Sequence, residues 1–282
     1  MSQFQKFVSE QVRLFENGKK LSPPHFKTFP RKISRKAPRV LIFSPHPDDE
    51  AIVGGLALRI SREAKWNVSN VAVTLGSKKE RRIARQRELK NACAFLGFDL
   101  MVAGLEKIKP EMRKKSRAHW SAAVQTISTI IAEKKPRVIF LPHEMDVHPA
   151  HVGTHFLVLD ALKKLPRGFE CFVVETEFWG QMATPNLLVE SSVEDVADLV
   201  AALACHVGEV KRNPYHARLP AWMMDNVRRG GELVGVAGAS SPDFTFGTIC
   251  RLQKWRAGKF QKAFKGGRFL SANENPAELF GG

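Results

Sequence analysis

The sequence predicts an α/β fold, Rossmann-like, with a mainly parallel sheet, helices on both faces and a C-terminal α+β extension. Three observations predict it. Short apolar runs alternate with longer segments of helical period. The first run enters a turn and then a helix directly. Intervening helices of this length are what successive parallel strands require as crossovers.

Arg39-Val-Leu-Ile-Phe43 is short, apolar and followed by a Pro-His-Pro turn, so it reads as a buried strand. Asp48 to Ala64 sets Ile52, Leu56, Leu58 and Ile60 at mostly helical spacing behind Asp48, Asp49 and Glu50. Acidic residues favour a helix start, and the segment reads as one helix. The alternation continues with a strand over Asn67 to Leu75, a helix over Arg81 to Leu96 ending at Gly97, and a short strand over Leu100 to Ala103. A helix near Ala118 to Lys134, a strand at Arg137 to Leu141, a helix from Pro149 to Lys164 and a strand at Glu170 to Glu177 follow.

Beyond Val193 the pattern changes to a helix reaching Val210, a second helical stretch from Pro220 to Arg229, a Gly-rich turn and a strand-like Phe244 to Leu252. No linker, repeat or low-complexity tract interrupts the chain. Residues 1–282 therefore read as one domain, with a core over about 38–190 and an extension over about 191–282.

With 282 residues, 44% hydrophobic and 26% charged, the chain can bury a substantial core and is not a disordered polymer. Met1 to Lys20 mixes charges with apolar residues at helical spacing and has no secretory apolar core, and no stretch is long enough to span a bilayer. Cys93, Cys171, Cys205 and Cys250 are far apart, with no C-x-x-C pair, which fits reduced thiols in the cytoplasm. Lys and Arg number 44 against 28 Asp and Glu, a formal +16, so attraction to anionic partners is expected. Basic clusters at Arg31 to Arg39, Lys78 to Arg87 and Lys254 to Lys265 are scattered. The first turn lacks G-x-G-x-x-G, which disfavours NAD and FAD.

Ligands of open α/β sheets bind outside the carboxyl ends of the strands. Two groups fall there: Pro45-His46-Pro47-Asp48-Asp49-Glu50 after the first strand, and His143 to His151 after the strand at Arg137 to Leu141. If both strands are central, His46, Asp48, Asp49, His148 and His151 share one crevice. A catalytic zinc needs about three N or O ligands and an open position, and two His plus one carboxylate meet that need. His46 and Asp49 are three apart across a turn, and His148 and His151 are three apart at a helix start, so each pair can face one spot. A cation so held makes water a usable nucleophile near neutral pH, and a free carboxylate beside it can act as base. Taken alone, Asp-Asp-Glu is equally what a helix start uses to offset its dipole. His143, His155, His25, His119 and His216 lack partners at matching spacing and read as structural or surface residues.

These motifs resemble the PIG-L/LmbE-like zinc-dependent N-deacetylases. The resemblance rests on Pro45-His46-Pro47-Asp48-Asp49-Glu50, on His148-Pro149-Ala150-His151 where that family has H-P-D-H, and on Arg85-Gln-Arg-Glu88 leading to Leu96-Gly97. It covers Val40 to Leu165. It implies that His46, Asp49 and His151 bind zinc, that Asp48 is the general base, that His148 polarises the scissile carbonyl and stabilises the oxyanion, and that Arg85 contacts substrate. Iron(II) suits the same donors. Ala150 departs from the family's Asp, leaving Asp146 as the nearest carboxylate to orient His148. His206 falls where the family often has a histidine, but a helical His reads as structural. Trp179 and Trp222 read as core residues with an alternative role in stacking on a sugar.

The expected function is metal-dependent deacetylation of an N-acetylated sugar, N-acetylglucosamine-type, or its conjugate, with an anionic substrate in keeping with the charge. The alternatives are hydrolysis of another amide or ester, and a non-catalytic basic module binding nucleic acid or another anion, which has no need of Asp48 beside a full ligand set. A homo-oligomer is compatible with the sequence.

Overall fold

The computed structural model describes residues 1–25, 33–238 and 240–281. Part of the Ser22 to Pro38 lead-in and the start of the Arg31 to Arg39 cluster lie outside the described residues.

A capping box at Ser2 and Gln5 opens α1 (Gln3–Gly18), none of whose residues is buried. The core begins at β1 (Arg39–Ser44), buried from its second residue onward. It continues through α2 (Asp49–Ile52), α3 (Gly55–Arg62), β2 (Asn67–Ala72), α4 (Arg82–Leu96), β3 (Asp99–Val102), α5 (Met112–Lys115), α6 (Arg117–Lys134), β4 (Val138–Pro142), α7 (Pro149–Lys163) and β5 (Cys171–Thr176). There follow β6 (Leu187–Glu190), α8 (Val193–Ala204), α9 (Val207–Arg212), α10 (Tyr215–Leu233), β7 (Gly247–Arg256), β8 (Lys259–Lys262) and β9 (Arg268–Leu270).

The strands form one sheet in the order β3-β2-β1-β4-β5-β7-β6-β9, with β8 paired to β7. From β3 to β5 all pairings are parallel. Alternation along β1 feeds both faces: Val40 and Ile42 join the core under α3, α4 and α8, while Leu41 and Phe43 join the core under α6 and α7. The expected Rossmann-like, mainly parallel sheet with helices on both faces is borne out. The C-terminal residues extend this same sheet, since β7 lies antiparallel between β5 and β6, and Cys250, Leu252, Leu270 and Phe280 join the core on the α8 side.

For the site, the decisive pairing is that of β1 with β4, Val40 opposite Val138 and Ile42 opposite Phe140. On its other edge β1 pairs with β2, so the chain reverses direction across the sheet between β1 and β4. That reversal opens a crevice at the carboxyl ends of both strands.

Five elements differ from expectation. The helix expected over Asp48 to Ala64 is split into α2 and α3 at Val53-Gly54. A Cβ on Gly54 would sit 2.5 Å from the Glu50 carbonyl oxygen, and one on Gly55 2.8 Å from Thr248 Oγ1, so the glycine pair lets α3 press against the sheet. The helix expected to reach Val210 breaks at Cys205-His206 into α8 and α9. The second stretch is longer than expected, Tyr215 to Leu233 with Pro220 inside it, because Leu219, Met223, Val227 and Gly230 bury one continuous face. The strand expected at Phe244 to Leu252 runs instead over Gly247–Arg256, and β6, too short to show a period, had no counterpart among the expected elements.

Candidate active site

At the end of β1 the chain turns through Pro45 and His46 into α2. The turn is closed by the Asp49 carboxylate, whose Oδ2 accepts the His46 backbone N–H at 2.7 Å. Asp48, which precedes α2, has φ 111°, in the left-handed region, and makes no side-chain cap to the helix. A non-glycine residue held there costs about 1–3 kcal/mol. At the end of β4, His148 starts α7: its ring Nδ1 accepts from the Ala150 N–H at 3.2 Å, and Pro149 occupies the first helical turn. His151 then projects from the first turn of α7 and is buried.

The two turns meet. The ring centroids of His46 and His148 are 4.9 Å apart, those of His148 and His151 5.2 Å, and those of His46 and His151 5.4 Å. Asp49 Oδ2 is 3.7 Å from His46 Nδ1, and Asp49 Oδ1 is 3.6 Å from His151 Nε2. Asp48, Asp49 and His151 are all buried. His46, Asp48, Asp49, His148 and His151 thus share one crevice.

Burial, followed by the neighbouring His151 and His148, holds His46 well below its ordinary value. Burial, followed by the neighbouring His151, lowers His148. Burial also pulls on His151, but Asp49 and Asp146 outweigh it and hold that ring above its ordinary value. Burial raises Asp49 to about 6. Burial, then Asp49 and Glu50, push Asp48 well above the carboxylate range. Imidazoles and carboxylates crowded together in this way make up a cation-binding donor set.

Asp49 Oδ1 and His151 Nε2 test that fit, because they face each other while buried and have no hydrogen-bond partner. Buried polar atoms are almost always satisfied, and a small divalent cation between these two would satisfy both. Among the described residues, His46, His148 and His151 also place ring nitrogens within 4.8 Å of one another. A second such group, Glu144, His155 and Glu175, is filled by the Arg251 guanidinium, which bonds both carboxylates.

Residues 41–162, which span β1 to α7 and contain both turns, match the PIG-L family, GlcNAc-PI de-N-acetylase. Over 142 residues the chain is 29% identical to a probable N-acetyl-alpha-D-glucosaminyl L-malate deacetylase 2 of Bacillus cereus. That match takes in 45% of this chain and 62% of the relative's length. Among solved structures, the N,N'-diacetylchitobiose deacetylase of Pyrococcus horikoshii shares the fold at a TM-score of 0.58 and 16% identity, covering 89% of this chain and 93% of that one. A 4-carboxy-2-hydroxymuconate hydratase from Pseudomonas putida also has a TM-score of 0.58, at 14% identity, covering 76% of this chain and 95% of that one. The fold therefore accommodates more than one chemistry, and function resides in the site built on it.

Within the matched segment, Asp146 differs from the role expected of it. Its carboxylate does not face the His148 ring: Oδ1 accepts the His148 backbone N–H at 2.9 Å, and Oδ2 lies 3.6 Å from His151 Nδ1. The His148 ring needs no carboxylate, because the Ala150 N–H fixes Nδ1 as the acceptor and leaves the proton on Nε2. Ala150 is thus compensated by the helix start itself. Arg85 lies beside the first turn, 3.3 Å from Glu209 Oε1, and donates to the Pro47 carbonyl at 3.4 Å.

Other residues lie beside these motifs. Phe178 stacks on His151 with centroids 5.4 Å apart and planes at 17°. Trp179 is half exposed beside Phe178 and Tyr215 instead of being a core residue. Glu209, which pairs with Arg85, comes from α9, far along the chain. Two histidines outside the site have backbone partners: His143 Nε2 bonds the Gly180 carbonyl at 2.8 Å, and His155 Nδ1 the Pro142 carbonyl at 3.0 Å. Of the basic clusters, the one at Lys78 to Arg87 brings Arg85 to the site, whereas Arg81 pairs with Glu88, Arg82 with Glu106, and Lys254 and Arg256 with Glu170.

Proposed function

We propose that this chain is a metal-dependent hydrolase that removes the acetyl group from an N-acetylated sugar or its conjugate, with zinc as the working cation and iron(II) as an alternative. The observation that carries this reading is the pair of facing, unpartnered buried donors, Asp49 Oδ1 and His151 Nε2, beside His46 and next to a free Asp48 carboxylate. His46, Asp49 and His151 would hold the cation. When bound, it would supply Lewis acidity and lower the proton affinity of water.

The chain's own residues supply the proton transfers. Asp48, buried and raised above the ordinary carboxylate range, accepts the proton of the attacking water, the direction a base near neutral pH needs. His148, its Nδ1 engaged by Ala150, keeps Nε2–H to donate to the oxygen that becomes negative as the amide carbon turns tetrahedral. Asp48 then returns its proton to the nitrogen as the C–N bond breaks, and acetate and a free amine leave. Arg85, beside the first turn, is suited to an anionic group, and the half-exposed Trp179, beside Phe178, to a sugar face.

The name of the Bacillus cereus relative, a glucosaminyl malate deacetylase, supports a sugar amide as substrate. The formal +16 supports an anionic conjugate. The cysteines are free and buried, supporting a cytoplasmic setting. Among the described residues, no helix is long and apolar enough to cross a membrane. We read residues 1–282 as one functional domain, because the C-terminal strands extend the sheet and α9 supplies Glu209.

The test is acetate release from N-acetylglucosamine and a panel of its phosphorylated, malyl and lipid conjugates, with Asp48→Ala and His151→Ala as controls. Metal-replete wild type should release acetate and both variants should not. No release from any member of the panel would refute the reading.

A further inference from the structure

Glu50 and His206 form a buried pair next to the proposed base. Their role there is not explained by metal binding. Glu50 reaches His206 through Oε1, which accepts from Nε2–H at 2.7 Å, and both residues are fully buried. The other oxygen, Oε2, accepts the backbone N–H of Asp48 at 3.0 Å. His206 reaches this point only because the chain breaks between α8 and α9.

An aspartate at a helix start ordinarily has an extended backbone and turns its carboxylate onto the first free N–H groups. Asp48 does neither: its φ is 111° and its carboxylate makes no cap. Glu50, two residues on, reaches back to the Asp48 N–H as the second half of a capping box would, without the first half. The result is that the buried Asp48 carboxylate is withheld from the helix.

We propose that Glu50 and His206 are a positioning pair that acts through Asp48, clamping its backbone in the left-handed conformation so that its carboxylate faces the reacting water. This rests on Asp48 being the proton acceptor. Neither Glu50 nor His206 touches substrate. His206 supplies the N–H that fixes which way the Glu50 carboxylate points, and Glu50 transmits that orientation to the Asp48 backbone.

The test uses the full chain loaded with zinc, and the variants Glu50→Ala, His206→Leu and His206→Gln. Glu50→Ala and His206→Leu should lower kcat about 10–100-fold, as loss of an outer supporting partner does, with KM and zinc content unchanged. His206→Gln still offers Glu50 an N–H and should recover most of kcat. A crystal structure of Glu50→Ala should show Asp48 leaving positive φ, a readout that holds even if wild type releases no acetate from any substrate. Asp48 keeping positive φ with kcat intact, or kcat falling only in step with zinc content, would overturn the proposal. Should Glu50→Ala not fold, equal kcat in His206→Leu and His206→Gln would overturn it just as well.

Discussion

Replacing Asp146 by asparagine removes one charge and almost no volume from the support of His151. In the wild type, Asp146 Oδ1 accepts the His148 N–H at 2.9 Å and Oδ2 accepts the Trp179 N–H at 3.1 Å while lying 3.6 Å from His151 Nδ1. Asparagine keeps one acceptor, so one of the two backbone N–H groups loses its partner, at about 1–3 kcal/mol of folding stability. It also loses the charge that, with Asp49, holds His151 above its ordinary value. An imidazole without a carboxylate behind it is a weaker and less oriented ligand, and such changes reduce metal affinity about 10–100-fold, equivalent to about 1.4–2.7 kcal/mol. The assay is zinc competition against a chromophoric chelator, with urea unfolding of the metal-free protein alongside. Weakened zinc binding together with lower stability is the expected result. Zinc affinity equal to wild type would refute the role assigned to Asp146 at His151.

Other outcomes follow from the same geometry. His148→Ala should retain zinc yet lower kcat about 10²–10³-fold, the loss typical of one oxyanion donor, measured by steady-state acetate release. Losing the cap on Ala150 should also cost about 0.5–2 kcal/mol in urea unfolding. Zinc affinity should fall as pH drops through about 6, because burial raises Asp49 to about 6 and below that the proton competes for the carboxylate the cation needs. His151 is raised as well and must also lose its proton, so below pH 6 the loss should exceed about one decade per pH unit, read by calorimetry at several pH values. Gly180→Ala would place a Cβ 2.7 Å from the Met145 carbonyl oxygen and 2.9 Å from Asp146 Cα, both backbone atoms. It should destabilise the protein by about 1–3 kcal/mol and weaken zinc binding by shifting Asp146, measured by the same two assays.

The parts of this protein legible in its sequence are those governed by local pattern. The buried runs of β1 and β4 and the motifs that directly follow them locate the crevice, because a strand's end and a helix's start are adjacent in the chain. The glycine pair that splits the first helix is not legible locally, since its reason, contact with Thr248 and Leu199, comes from distant residues. His206 reads as a helical histidine because nothing local reveals that its helix breaks there and meets Glu50, 156 positions away. The Asp146 assignment failed in direction only. Spacing identified a nearby carboxylate, but the choice between His148 and His151 depends on a ring rotation set by the Ala150 N–H.

The most direct test is anomalous diffraction at the zinc edge from crystals of the zinc-loaded full chain, combined with metal analysis of the same protein. The expected result is one zinc per chain at about 2.0–2.2 Å from a nitrogen of His46, a nitrogen of His151 and an oxygen of Asp49, with a coordination position facing Asp48 and His148. A single zinc bound elsewhere, or none retained at the crevice where Asp49 Oδ1 and His151 Nε2 face each other, would contradict it.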